Sequence, residues 1–231
     1  MNRKALKTVL LDTLPVLTGY LFLGAGFGIL LSEQTDKNAL WAFGMSLFMF
    51  AGSGQYLAVS LLASHASVLT TAIATLLINA RHIFYGISLL ETYAGAGKKK
   101  PYMIFALTDE TYSLVTQNQP PEGMSRHRYC FLVSLFDHIY WVCGCVLGAL
   151  AGAYLPINFE GVEFVLTALF VTMFTEQWLT HKKHLPAIIG VVSTALCLLL
   201  FGSQIFLIPS MVLIAVLLTV SRKTGRRAEN A

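Results

Sequence analysis

Charge is what this sequence has least of. Lysine, arginine, aspartate and glutamate make up 12% of its 231 residues, whereas an ordinary soluble domain carries about 25%. The charges it has lie in short stretches, separated by apolar runs of about 18 residues or more. Spanning about 30 Å of hydrocarbon takes about 20 apolar residues, so the pattern is that of a polytopic helical membrane protein. A transmembrane barrel would show weakly alternating ten-residue segments, and none are visible. No basic patch is interleaved with aromatics, and the net charge of +4 sits at segment ends. The lipid bilayer is therefore the expected partner, and nucleic acid is not.

The signatures of covalent chemistry are also missing. The sequence has no paired His–Glu–His metal motif, no Gly-x-Ser-x-Gly, no nucleotide loop and no Cys-x-x-Cys. It calls for no metal and no cofactor, and a transporter driven by ATP would need a separate ATPase. This argues against an enzyme. The four cysteines, Cys130, Cys143, Cys145 and Cys197, all fall in apolar segments. Cys143 and Cys145 point to different sides of a helix, which suits packing rather than a metal or redox pair. The opening "MNRKALKTVLLDTLPVLTGYLFLGAGFGILL" is basic, then apolar. In a chain that goes on to cross repeatedly, it reads as an uncleaved first helix.

Apolar runs fall at 14–31, 39–63, 66–94, 102–117, 129–152, 162–180, 185–201 and 204–220, in one domain over 1–231. Lysine and arginine in short loops stay cytoplasmic. Arg3, Lys4 and Lys7 at one end, and Arg222, Lys223, Arg226 and Arg227 at the other, put both termini inside. Lys98–Lys100, Arg126 with Arg128, and Lys182 with Lys183 also favour the inside, while 153–161 holds only Glu160 and faces out. These signs agree if 39–63 is a re-entrant hairpin broken at 51–55, 66–94 truly spans, and 102–117 dips in and returns. The fold expected is all-α, with about six full crossings plus broken or re-entrant segments. Eight crossings, with the triple lysine outside, is the alternative.

Polar groups at membrane depth are costly and usually face an internal pathway or one another. In "FAGSGQY" (50–56), Gly52 and Gly54 flank Ser53 and Gln55 follows. Broken helices are tolerated at that depth when buried in protein or lining a cavity. The motif therefore reads as a helix break offering backbone groups to a polar substrate, or as small-residue packing. In "INARHIFYG", Asn79 and His82 are three apart, and Arg81 and Tyr85 four apart. A guanidinium fork matches a carboxylate. The run 66–94 puts 15 residues before Arg81 and 13 after it, about 20 Å from either end at helical rise. In "ALTDETYSL", Asp109 and Glu110 are adjacent acids beside Thr108 and Thr111. They suit proton coupling or capture of an ammonium group, and equally a capped helix start with acids in its first turn. In "SLFDHIYWVCGCVLGALAG" (134–152), Asp137 is a candidate partner for Arg81 and His138 a candidate proton relay. Glycines at 144, 148 and 152 follow as a small-xxx-small ladder. Gly19, Gly24, Gly26 and Gly28 of the first helix suit either close packing or a substrate-facing surface. Glu176, near a basic end with Trp178, suits the membrane interface.

The segments "LPVLTGYLFLGAGFGIL", "FAGSGQY", "INARHIFYG", "ALTDET" and "GVEFVLTALFVTMF", in that order, resemble the AzlC family, the large subunits of bacterial branched-chain amino acid exporters. The resemblance runs from about residue 12 to 220. It implies export of valine, leucine, isoleucine or related apolar amino acids across the inner membrane, with a small hydrophobic AzlD-type subunit. One departure lies in the glycine-rich break, where the family pattern suggests Ala-Gly-Ala-Ser-Gln and this chain has Ala-Gly-Ser-Gly-Gln. A serine that contacts substrate would, shifted by one residue, change which amino acid fits.

These readings combine into a site between the 51–55 break and the Arg81 helix. Arg81 meets the α-carboxylate and Asp109 or Glu110 the ammonium, while backbone around Gly52–Gln55 adds polar contacts. Phe48, Leu57 and Phe84 surround the side chain. Proton-coupling candidates are His82, Asp109, Glu110, Asp137 and His138. A channel or scaffold subunit, and less readily an intramembrane enzyme, are the rival classes.

Overall fold

Apolar runs in lipid must satisfy their own backbone, and the helix does so within one segment. The computed structural model describes residues 3–35, 38–79, 81–154, 164–180 and 184–202, and parts of 206–221. Among these, the regular structure is helical and no strand occurs. Contacts divide the chain into two compact units, Met1–Thr167 and Ala168–Ala231.

The first unit is built on two long helices, α1 (Arg3–Gln34) and α8 (Arg126–Tyr154). Both are long and apolar enough to cross a membrane. They lie backbone against backbone. A Cβ added at Gly144 would come within 2.5 Å of the Tyr20 carbonyl oxygen, and one at Gly24 within 2.9 Å of the Cys145 nitrogen. Gly28 and Gly148 are tighter still, against Cys145 and Ala25. Ser32 Oγ ties the seam by donating to the carbonyls of Gly28 (3.1 Å) and Ala149 (3.2 Å). The ladder on α8 and the glycines at 24 and 28 thus serve close packing. Gly19 faces open space.

Between these helices the chain runs in short pieces. Helix α2 (Ala39–Phe48) is capped by Asn38, whose side chain accepts from Leu40 N (3.1 Å). It stops at Met49, and α3 (Gly52–Ala63) begins after Ala51. The break therefore lies at 49–51, earlier than the 51–55 expected from the glycines. Gly52–Gln55 form the first turn of α3, with Gln55 N bonded to the Ala51 carbonyl (2.7 Å). The positive φ belongs to Phe50, at +34°, a left-handed conformation costing on the order of 1–2 kcal/mol for a residue with a Cβ. Gly52 is needed for another reason: the Trp141 ring lies 3.1 Å from where its Cβ would be.

The run 66–94 is helical over most of its described length. It forms α4 (Val68–Asn79) and α5 (Arg81–Ser88), followed by turns, with residue 80 outside the described residues. Arg81 directly follows residue 80 and lies seven residues before the end of α5 at Ser88. Its side chain, like those of Phe84 and Glu176, lies outside the described residues. A 3₁₀ turn (Gly97–Lys99) leads into α6 (Lys100–Phe105), and α7 (Asp109–Gln117) starts after a second break at 106–108. Arg126 closes the far end of α7 by donating to the carbonyls of Val115 and Asn118.

The second unit takes in most of α9 (Phe164–Thr180) and all of α10 (Leu185–Phe201). Trp178 stacks on His184 there, with ring centroids 4.2 Å apart.

Candidate functional site

Each break places polar groups against α8. Thr108 caps α7: its side chain accepts from Thr111 N (3.3 Å), and Asp109 and Glu110 occupy the first turn, where acids complement the helix dipole. The capping reading of "ALTDET" is thus the one the geometry displays. Tyr20, on the α1 face that carries Gly24, reaches this helix start. Its hydroxyl lies 2.7 Å from Glu110 Oε2 and 2.7 Å from Thr108 Oγ1. Thr108 Oγ1 is 3.0 Å from Thr111 Oγ1, which is 2.7 Å from Asp137 Oδ2 on α8. Asp137 is fully buried.

Next to Asp137, His138 uses both ring nitrogens. Nε2 donates to the Ser46 carbonyl (3.2 Å), so in the neutral ring Nδ1 accepts from the Tyr102 hydroxyl (3.0 Å). One turn on from Asp137, Trp141 Nε1 donates to Gln55 Oε1 (2.7 Å). Two buried atoms in this region have no partner among the described residues: Gln55 Nε2, a donor, and Asp137 Oδ1, an acceptor. Leaving such a group unsatisfied costs about 1–3 kcal/mol, so both are candidates for contact with a polar ligand.

A cavity of about 750 Å³ lies beside this cluster. Its walls are mostly apolar, from Phe48, Phe50, Ile83, Ile87 and Phe105, with Asn79, His82, Thr75, Tyr93 and Lys100 as the residues that carry polar groups. The combination of apolar walls and few polar groups is typical of small-molecule sites. Phe50 belongs to both regions. It lines the cavity, is 3% exposed, stacks on His138 (4.4 Å between centroids) and meets Tyr20 edge-on (6.4 Å). It forms part of the wall between the cavity and the polar cluster.

The structure thus brings several of the expected residues together. Asn79 Nδ2 lies 3.5 Å from where a Gly54 Cβ would be, joining the α2–α3 break to the end of α4. His82 lines the cavity with Asn79, and its Nδ1 sits 3.1 Å from the Asn79 carbonyl. Ser53 is buried in the first turn of α3. Tyr85 stacks on Tyr112 of α7 (4.6 Å), an arrangement that fastens α5 to α7. Asp137 meets Thr111, and its expected pairing with Arg81 involves a side chain outside the described residues. Leu57 does not line the cavity, while Phe48 does. Among the described residues, no three metal-ligating side chains gather.

Sequence reasoning passed over Tyr20, Tyr102 and Phe50. Tyr20 carried a signal: it lies four residues before Gly24 and eight before Gly28, on the stripe that faces α8.

Residues 15–155 match the family model described as "AzlC protein". The chain is 41% identical to the "Branched-chain amino acid transport protein AzlC" of Bacillus subtilis (strain 168) over 94% of this chain and 85% of that protein. It is 39% identical to an "Uncharacterized membrane protein" of Helicobacter pylori (strain ATCC 700392 / 26695), covering 95% of this chain and 96% of that one. It is 26% identical to the "Inner membrane protein YgaZ" of Escherichia coli (strain K12), over 87% and 82% of the two chains. No solved structure matches. The ordered motifs from the first helix to α8, the family model and relatives matched along nearly their whole length agree: this chain belongs to the AzlC family.

Proposed function

We propose that this chain is the large membrane subunit of a secondary transporter that exports branched-chain or related apolar amino acids. It crosses the inner membrane about six times with both termini cytoplasmic, and it acts with a small AzlD-type subunit. The observation that carries the reading is the cavity of about 750 Å³, walled by apolar side chains and set beside the half-buried Glu110 and the buried Asp137. An apolar amino acid needs both parts, an apolar space for its side chain and fixed polar groups for its charged end. The Bacillus subtilis relative's name supports this substrate class.

The side chain of the substrate occupies the cavity between the α2–α3 break and α5. Asn79, Gln55 and Arg81 supply donors for the carboxylate, with Ser53, Gly52, Gly54 and Tyr85 shaping the same region. Asp109, Glu110 and Asp137 are the acids available to an ammonium group, and His82 and His138 stand beside them. The chain carries no nucleotide loop, so the driving force is the proton gradient, taken up through the acids.

Counterflow of radiolabelled leucine in liposomes, with and without the small subunit, tests the proposal. Accumulation against unlabelled internal leucine, which sets in only above background with this chain present, is the expected result. Equal leak of leucine and of unrelated solutes would make the chain a channel, and no flux with either subunit composition would make it a scaffold.

A further inference from the structure

The contacts that join Glu110 to Asp137 can be counted in protons. Four oxygen–oxygen contacts run in series: Glu110 Oε2 to Tyr20 Oη (2.7 Å), Tyr20 Oη to Thr108 Oγ1 (2.7 Å), Thr108 Oγ1 to Thr111 Oγ1 (3.0 Å), and Thr111 Oγ1 to Asp137 Oδ2 (2.7 Å). Two oxygens at such distances repel unless a proton lies between them, so the series needs four protons. Three hydroxyls supply one each. The fourth has to come from a carboxyl group. With both carboxylates ionised, one contact is left as bare oxygen against oxygen.

We infer that Glu110 and Asp137 hold one proton between them, shared through the hydroxyls of Tyr20, Thr108 and Thr111. When the proton is on Glu110, every hydroxyl donates toward Asp137. When it is on Asp137, every hydroxyl donates back toward Glu110. Both arrangements fill all four contacts; the first matches the direction seen here, in which Thr108 donates to Thr111, and the second needs a small turn of that hydroxyl pair so that Thr111 donates instead. Thr108 tolerates either sense: it accepts the Thr111 backbone N–H in both (3.3 Å) and has a second lone pair for whichever hydroxyl donates. A second acid proton has no contact left to fill in the series. The burial of Tyr20, Thr108, Thr111 and Asp137 keeps water from supplying substitute donors and favours cooperative ordering of the chain.

The geometry also gives the pair unequal ends. Glu110 and Asp137 belong to different helices, α7 and α8. Asp137 Oδ1 has no partner among the described residues, so a group arriving from outside the series meets the pair there. Tyr20, Thr108 and Thr111 are positioning and relay residues in this scheme. The inference rests on the proton-coupled transport reading for its purpose, but not for its existence.

Infrared difference spectroscopy on the full chain in liposomes reads the shared proton directly. The expected result is one protonated-carboxyl band near neutral pH that disappears in Glu110→Gln and, separately, in Asp137→Asn. Either amide can fill the series with its own N–H and so releases the acid proton. No such band in the wild type, or a band that survives both substitutions, overturns the inference. The wild-type measurement stands even where a variant fails to fold. Tyr20→Phe, which keeps the ring and cuts the series, supplies the functional readout. Proton-driven leucine export is expected to fall at least about tenfold, a change of about 1.4 kcal/mol in barrier, while leucine counterflow stays within about twofold. Unchanged proton-driven export in a folded Tyr20→Phe protein overturns the relay. A shared-proton band in a protein that carries no amino acid would sink the transport reading and leave the proton pair standing.

Discussion

Helices α1 and α8 run unbroken for 32 and 29 residues, whereas the chain between them is interrupted at 49–51, at 64–67 and again at 106–108. The long pair is joined by backbone, through glycines that leave no room for side chains. The short pieces are joined by side chains: rings of Tyr85 and Tyr112, the Arg126 clamp on α7, the Trp141–Gln55 bond. Each interruption also frees a helix end. The N-terminus of α7 sets Glu110 toward Tyr20 and Thr111 toward Asp137, and the break before α3 sets Phe50 between cavity and cluster. A closely packed frame is thus paired with elements that carry the polar groups. Transporter sites use this division often, with irregular backbone kept where it lines a cavity.

Gly148→Leu attacks the frame and has the largest expected effect. A side chain there meets backbone of Ala25, which has no rotamer to move to, so folded protein should not be recovered after size-exclusion chromatography in mild detergent. Gly19→Ala is the contrast within the same pair: with nothing within 4 Å of its Cβ, it should hold or slightly raise the melting temperature, since alanine favours a helix interior over glycine by roughly 0.5–1 kcal/mol. A second test strikes the interrupted region. Phe50→Ala removes a buried ring and keeps the left-handed backbone, and should cost about 3 kcal/mol while raising passive leucine leak. Phe50→Gly loses the same ring but adopts φ > 0 freely, so it should be more stable than Phe50→Ala by about 1 kcal/mol. Thermal unfolding of the two variants side by side would decide it, and the reverse order would mean that Phe50 is not strained. The smallest effect belongs to Tyr112→Phe, which loses the 3.0 Å bond to Ser88 and keeps the stack on Tyr85. It should cost about 0.5–1 kcal/mol with transport retained.

The frame was more legible in the sequence than the site. Glycines four apart on α8 read as a packing ladder from spacing alone, while those of α1 suited packing or a substrate-facing surface until the contacts of Gly24 and Gly28 decided for packing. Thr108 before two acids also reads as a helix start from local rules alone. The α2–α3 break was placed two residues late because glycine has two uses. Here Gly52 makes room for the Trp141 ring, and the strain falls on Phe50. Tyr20 was missed because its partners lie 88 and 90 residues away, a distance over which local pattern carries no information. The burial of Asp137 was ambiguous for a related reason. Eight residues into an apolar run, an acid can reach the interface or a neighbouring hydroxyl, and only the arrival of α7 brings the hydroxyl of Thr111.

The seam between α1 and α8 has one more consequence. Contacts made backbone to backbone at Gly24, Gly28, Gly144 and Gly148 leave no gap that a lipid tail could enter. The joint between these helices is therefore indifferent to acyl-chain length and saturation. The exposed apolar side chains of the short pieces, among them Leu40, Trp41, Phe48 and Leu76, meet their surroundings directly. Helices α1 and α8 expose apolar side chains too, among them Phe22 and Leu147, so membrane composition touches both parts of the protein but meets the cavity through the short pieces that border it.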